Sequence, residues 1–130
     1  MKTLNLGIEL DQGADFSLVI GIFGMGGPID ITGYQFLGEM RDSTDPTSPV
    51  VAEFDFEILN QYTNQGQVQW TISQLVLENL ELSASGNLQT ARLTTPFVFD
   101  IKMKDTMGNI SRIIQGIAYV SPQATQEDFG

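Results

Sequence analysis

Carboxylates are the chemistry-bearing side chains this sequence has in number, and three pairs of them have a spacing worth testing. Asp42 and Asp45 in "RDSTDPT", and Asp100 and Asp105 further on, are the pairs best placed to hold a cation. Calcium takes about six to eight oxygens from a rigid loop. "RDSTDPT" has carboxylates and hydroxyls but no EF-hand spacing, so no metal residue is assigned. Glu53 and Glu57 share one face of an alternating strand, and paired carboxylates hydrolyse glycosides. They project outward with no evident cleft, as solvated charges do.

Asp30 stands in "GGPIDITGY" (26–34), either as a ligand at a loop tip or as a brace. An Asp beside Thr and Gly at a corner accepts backbone N–H bonds and fixes the bend. We therefore take Pro28, Asp30, Thr32, Gly33 and Tyr34 as a structural corner. Trp70, the single tryptophan, would serve as a carbohydrate platform or interface anchor if exposed. With Val68 and Ile72 on its own face, it belongs instead between two sheets.

No histidine and no cysteine are present. The commonest general base, the commonest metal ligand and every thiol chemistry are therefore missing. We expect no enzyme, no catalytic residue and no cofactor. The formal charge is −10, from 16 acidic against 6 basic residues. Lys2, Arg41, Arg92, Lys102, Lys104 and Arg112 are scattered along the chain. Phosphate binding is driven by clustered Lys and Arg, so nucleic acid and anionic membrane are not expected partners. No apolar run is long enough to cross a bilayer, and the N-terminus lacks the apolar core of a signal peptide.

The elements that must position these residues have a period of two. Phe16, Leu18, Ile20 and Ile22 alternate with Ser17, Val19, Gly21 and Phe23. Ala52, Phe54, Phe56 and Ile58 alternate with Glu53, Asp55 and Glu57; Phe97, Phe99, Ile101 and Met103 alternate with Asp100, Lys102 and Lys104. Such alternation predicts antiparallel strands with one dry and one wet face. Turn signals rich in Asn, Asp, Gly and Pro separate them at short intervals. "ISRIIQGIAYV" (110–120) is apolar with little alternation and predicts a strand buried on both faces. "TISQLVLENLEL" (71–82) breaks the period. Thr71 and Gln74 fit a capping box, and we expect a short helical turn around residues 72–80. A strand through 75–82 is the alternative.

These signals predict an all-β fold, an immunoglobulin-like antiparallel sandwich of about seven strands in one domain over residues 1–120. Residues 1–10, with Leu4, Leu6, Ile8 and Leu10 on one side, form either its first strand or an arm that adds to a neighbour's sheet. Residues 121–130 are a polar tail. Apolar side chains on nominally wet faces mark a covered surface, so Leu4, Leu6, Val19, Phe23 and Val98 are candidate interface residues.

Five short motifs occur in a familiar order: Gly13-Ala-Asp-Phe16, Pro28-Ile-Asp-Ile-Thr-Gly-Tyr34, Phe97-Val-Phe-Asp-Ile101, Asp105-Thr-Met-Gly-Asn109 and Ser121-Pro-Gln-Ala-Thr125. Over roughly residues 8–125 the chain resembles the small immunoglobulin-like domains of phage tail and baseplate proteins, including the N-terminal module of upper baseplate proteins. The resemblance implies a virion structural component, an adaptor or spacer without an active site. It would be assembled in the host cytoplasm and held by other tail or baseplate proteins, in several copies about an axis. The alternative, from another functional class, is a carbohydrate-binding module for host adhesion, which needs an exposed aromatic platform.

Overall fold

The structure is a computed structural model and describes residues 3–45, 47–80 and 95–122. Its strands are β1 (Leu4–Asp11), β2 (Phe16–Gly21), β3 (Phe23–Gly24), β4 (Gly27–Pro28), β5 (Gln35–Arg41), β6 (Val50–Glu53), β7 (Asp55–Ile58), β8 (Gln67–Ile72), β9 (Thr95–Lys104) and β10 (Ile110–Ser121). One helix, α1 (Gln74–Glu78), follows β8. Five strands form a sheet in the order β1-β10-β9-β5-β6, facing a three-stranded sheet β2-β8-β7; β3 and β4 pair as a short hairpin. Among the described residues all pairings are antiparallel except β1 with β10. Strands drawn out of chain order into two packed sheets make an immunoglobulin-like β-sandwich.

The period-two runs put their apolar sets between the sheets. Val68, Trp70 and Ile72 from β8 meet Phe97, Phe99, Ile101 and Met103 from β9, all buried. Trp70 has no exposed surface. Its ring centroid is 4.9 Å from that of Phe16, 5.1 Å from Phe54 and 5.5 Å from Phe99. Separations of this size are typical of favourable aromatic pairs. The aromatic side chains of three strands and of the β6–β7 junction thus form one cluster that ties the sheets together.

The run 50–58 is one strand in sequence and two in space. β6 pairs with β5 in the larger sheet, and β7 pairs with β8 in the smaller. The chain changes sheets at Phe54, whose N–H donates to the carbonyl of Gly38 at 2.9 Å. Gly38 makes room for the crossing: a Cβ there would stand 2.4 Å from Phe54 Cδ2 and 3.0 Å from Phe56 Cζ. The crossing corrects the expectation that Glu53 and Glu57 share a face. Glu53 is on the outer side of the five-stranded sheet, and Glu57 is on the outer side of the other.

Two further expectations are corrected. β10 is buried on one face, not both: Ile117 and Tyr119 are each 41% exposed on its outer side. Its alternation is disguised by an irregularity between Arg112 and Ile114, which places Ile113 and Ile114 both inside. A bulge of this kind inserts a residue and shifts the phase of the strand. The N-cap of α1 is Ser73, not Thr71; Ser73 Oγ accepts from Val76 N at 3.3 Å. β8 keeps its pairing through Ile72, so Thr71 is still strand and cannot cap.

The β1–β2 loop finishes the helix. Asp15 Oδ1 accepts from Gln74 N at 2.7 Å at one end of α1. Gln12 Nε2 donates to the carbonyls of Leu77 and Leu80 at the other. These contacts satisfy backbone groups that a short helix leaves open. Residues 4–11 pair with β10 of their own chain, from Leu4 against Ile114 to Asp11 against Ser121. The end of the 71–82 run and the tail from 123 onward lie outside the described residues.

Candidate functional site

The "GGPIDITGY" segment belongs to one end of the sandwich, where three connections meet. β3 and β4 turn through Met25 and Gly26, with Gly27 at φ +115°. The chain then bends through Asp30, whose Oδ1 accepts from the N–H of Thr32 at 3.0 Å and from its hydroxyl at 2.6 Å. Gly33 adopts φ +82°, a conformation that costs glycine little. Ile31 is buried, and Ile29 and Tyr34 pack against the core. Thr106, in the β9–β10 turn, sits close beside Gly33.

The residue that holds this end together is Gln61, in the β7–β8 loop. Its Oε1 accepts from Ile31 N at 3.0 Å and from Gly66 N at 2.9 Å, while Nε2 donates to the carbonyl of Leu59 at 2.7 Å. One amide side chain thus joins the corner to the neighbouring loop. Sequence reasoning missed it, because a Gln thirty positions from its partner carries no local signal. Gln61→Leu leaves two backbone donors without a partner, and each such loss costs about 1–3 kcal/mol when buried. We expect a destabilisation of about 2–4 kcal/mol in urea unfolding, with no change in the sheet content of the circular dichroism spectrum.

Each loop at this end carries a large apolar residue at its tip. Met25, Tyr62 and Met107 are essentially uncovered, at 109%, 101% and 86% of full exposure. Behind them Gln61 and the Ile22 N–H, which donates to the Gly66 carbonyl at 2.7 Å, tie the corner to the β7–β8 loop, and Asp105 holds the β9–β10 turn by accepting from the N–H groups of Met107 and Asn109. Functional residues are commonly carried on loops held by a rigid scaffold in this way. The signals in the sequence are the glycines around Met25 in "GMGG" and the single Gly108 after Met107 in "DTMGN".

The candidate interface residues do not form one patch. Leu4 is exposed at the start of β1, while Leu6 packs against the core. Val19 is exposed on the outer side of β2, Phe23 is exposed on the β3–β4 hairpin, and Val98 is half-buried on the outer side of β9. The structure adds Ile117, which stands directly beside Val98 in the ladder, and Tyr119 two residues on. Trp70 is inside and offers no platform to a sugar.

No family model matches the chain, and no curated protein does. Among solved structures, murine CRIg aligns at a TM-score of 0.38 and 10% identity, covering 94% of this chain and 95% of that one. A structure titled for photo-crosslinking analyses of the multimeric cell-adhesive interactions of VGSC beta subunits aligns at 0.37 and 8%, covering 93% of each chain. The sandwich assignment rests on the strand order given above.

Three of the four aspartates considered for metal binding, Asp45, Asp100 and Asp105, are occupied by their own turns or by a cation. Asp45 Oδ1 accepts from the N–H and hydroxyl of Thr47. Asp105 accepts from the N–H groups of Met107 and Asn109, and Asp100 pairs with Arg112 at 3.4 Å. Among the described residues no three acidic side chains gather at one point. Hydrogen bonds to the charged form lower a carboxyl pKa. The Thr32 hydroxyl and N–H hold Asp30 below the ordinary range, the Thr47 N–H and hydroxyl do so for Asp45, and the Asn109 N–H leads for Asp105.

A depressed folded-state pKa stabilises the fold above the unfolded value, and that contribution disappears as pH falls through the folded one. The contribution of these three carboxylates should be constant from neutral pH down to about pH 5 and be lost progressively below it, since unperturbed Asp titrates near about 3.9. Asp105→Asn keeps an acceptor oxygen without the titration, so its melting temperature should fall less steeply between about pH 4 and pH 2 than that of the parent.

Proposed function

We propose that this chain is a structural component of a tailed bacteriophage particle, a tail or baseplate adaptor or spacer that works through protein–protein contacts. The observation that carries the reading is the order of the five motifs along nearly the whole chain. Two of them, the Pro28–Tyr34 corner and the Asp105–Asn109 turn, lie side by side at the loop end, where Met25 and Met107 are exposed and open to contact with a neighbour. Large apolar residues held outward on rigid loops and on the outer strand face suit permanent burial against other subunits. The residues of the site then act by shape and packing, the partners are other tail or baseplate proteins and further copies of the chain, and the setting is the virion, assembled in the host cytoplasm.

The test is the protein content of purified particles. Peptides of this chain should be present in stoichiometric amount in density-purified virions, and a cryo-EM map of the tail should contain density that accepts the sandwich. Absence from such particles overturns the reading.

A further inference from the structure

Among the described residues the cations of this protein are confined to one face of the sandwich. Every lysine and arginine among the described residues lies on the outer side of the five-stranded sheet: Arg41 on β5, Lys102 and Lys104 on β9, Arg112 on β10. Arg112 is paired with Asp100 at 3.4 Å and Arg41 with Glu39 at 4.0 Å. That leaves Lys102 and Lys104, both exposed, as the surplus positive charge at the centre of the sheet. The other carboxylates of that side, Glu9, Asp11 and Glu53, are on its two edge strands.

The outer side of the three-stranded sheet has the opposite character. Asp55 and Glu57 project from β7, beside Gln67, Gln69 and Thr71 of β8 and Ser17 and Val19 of β2. Among the described residues no cation stands on that side. The two charge pairs also match in geometry. Lys102 and Lys104 are two residues apart on one strand face, as are Asp55 and Glu57, so each pair spans about 6.6–6.8 Å. Exposed apolar residues accompany both: Leu37 and Ile110 flank the lysines, and Val19 lies across Gln69 from Glu57.

We propose that these two faces bind each other between copies of this chain, head to tail, with Lys102 and Lys104 of one copy against Asp55 and Glu57 of the next. The occupant of each face is a second copy because the complementary charge pattern, at the same spacing, is present on the molecule itself. The faces lie on opposite sides of one sandwich, so the contact is heterologous and propagates into a ring or a filament. A net charge of −10 opposes association at low salt. At physiological ionic strength the Debye length is about 8 Å, which screens the distant charges more than pairs in contact. Self-association should therefore be weak in dilute buffer, strongest near physiological salt and weaker again near about 1 M. This inference rests on the charge geometry alone and stands whether or not the chain is found in a phage particle.

The experiment is a charge swap on the purified full chain, read by sedimentation velocity and native mass spectrometry. Lys102→Glu/Lys104→Glu and Asp55→Lys/Glu57→Lys should each weaken self-association at least about tenfold. An equimolar mixture of the two should restore it, because the reversed faces are again complementary. All four positions are exposed strand sites, so thermal melts of both variants should match the parent. Should either variant fold poorly, Lys102→Gln/Lys104→Gln and Asp55→Asn/Glu57→Gln give the weakening arm. A parent chain that stays monomeric at every salt concentration overturns the proposal, as does a mixture that assembles no better than its components.

Discussion

Trp70→Ala should cost about 3–5 kcal/mol, the range for emptying a large aromatic site in a core. Small domains have about 5–15 kcal/mol in total, so the variant loses a large share of its stability. Trp70 is fully buried and touches Phe16, Phe54 and Phe99. Its removal therefore opens a cavity at the junction of β2, β8, β9 and the Phe54 crossing, where neither sheet can close over the gap independently. The indole also carries the one buried side-chain polar atom without a partner among the described residues, its Nε1. An unsatisfied buried donor costs about 1–3 kcal/mol. Trp70→Phe removes that donor along with some volume, so its loss should be well under half that of the alanine variant. Urea unfolding checks this, with a lowered midpoint and an unchanged m-value. A Trp70→Phe loss as large as that of the alanine variant would overturn this account of the core.

Gly116→Ala should unzip β1 from the sheet. A Cβ at this position would stand 1.7 Å from the carbonyl oxygen of Leu6 and 2.7 Å from its carbon. The obstacle is backbone, so no rotamer change relieves it and β1 itself must move. Ile8 and Leu10, both buried, leave the core with it. At about 1.5–3 kcal/mol per side chain, the expected loss is about 3–6 kcal/mol. Amide hydrogen exchange should show protection lost along β1 and on the β1-facing edge of β10, and retained in β8. Gly7→Ala is the control. It changes the same strand but meets no atom within 4 Å, so its effect should stay within about 0.5 kcal/mol. Normal protection of β1 in Gly116→Ala would mean that residues 4–11 are not held in this register.

The strands and their inward faces were legible because period two needs only local information. Phe97, Phe99, Ile101 and Met103 are inside as their alternation with Asp100, Lys102 and Lys104 demands. What escaped depends on partners distant in sequence. Glu53 and Glu57 look equivalent until the chain crosses sheets at Phe54, a step permitted by Gly38 on another strand. The phase of β10 is hidden by one inserted residue. Gln61 and the Asp15 cap act only once loops from separate parts of the chain have met. The scattered cations are the same case: Arg41, Lys102, Lys104 and Arg112 share a face only because β5, β9 and β10 are neighbours.

The parallel pairing of β1 with β10 also decides how the domain carries load. Leu4 and Ser121 stand at opposite ends of that ladder, roughly 25 Å apart at about 3.3 Å per residue. Tension applied through the chain before Leu4 and after Ser121 pulls the two strands past each other lengthwise. Their hydrogen bonds are then stressed together in shear, not peeled one at a time, and forced unfolding follows the unfolding rate. A sandwich wired this way resists a pull along its length without lengthening.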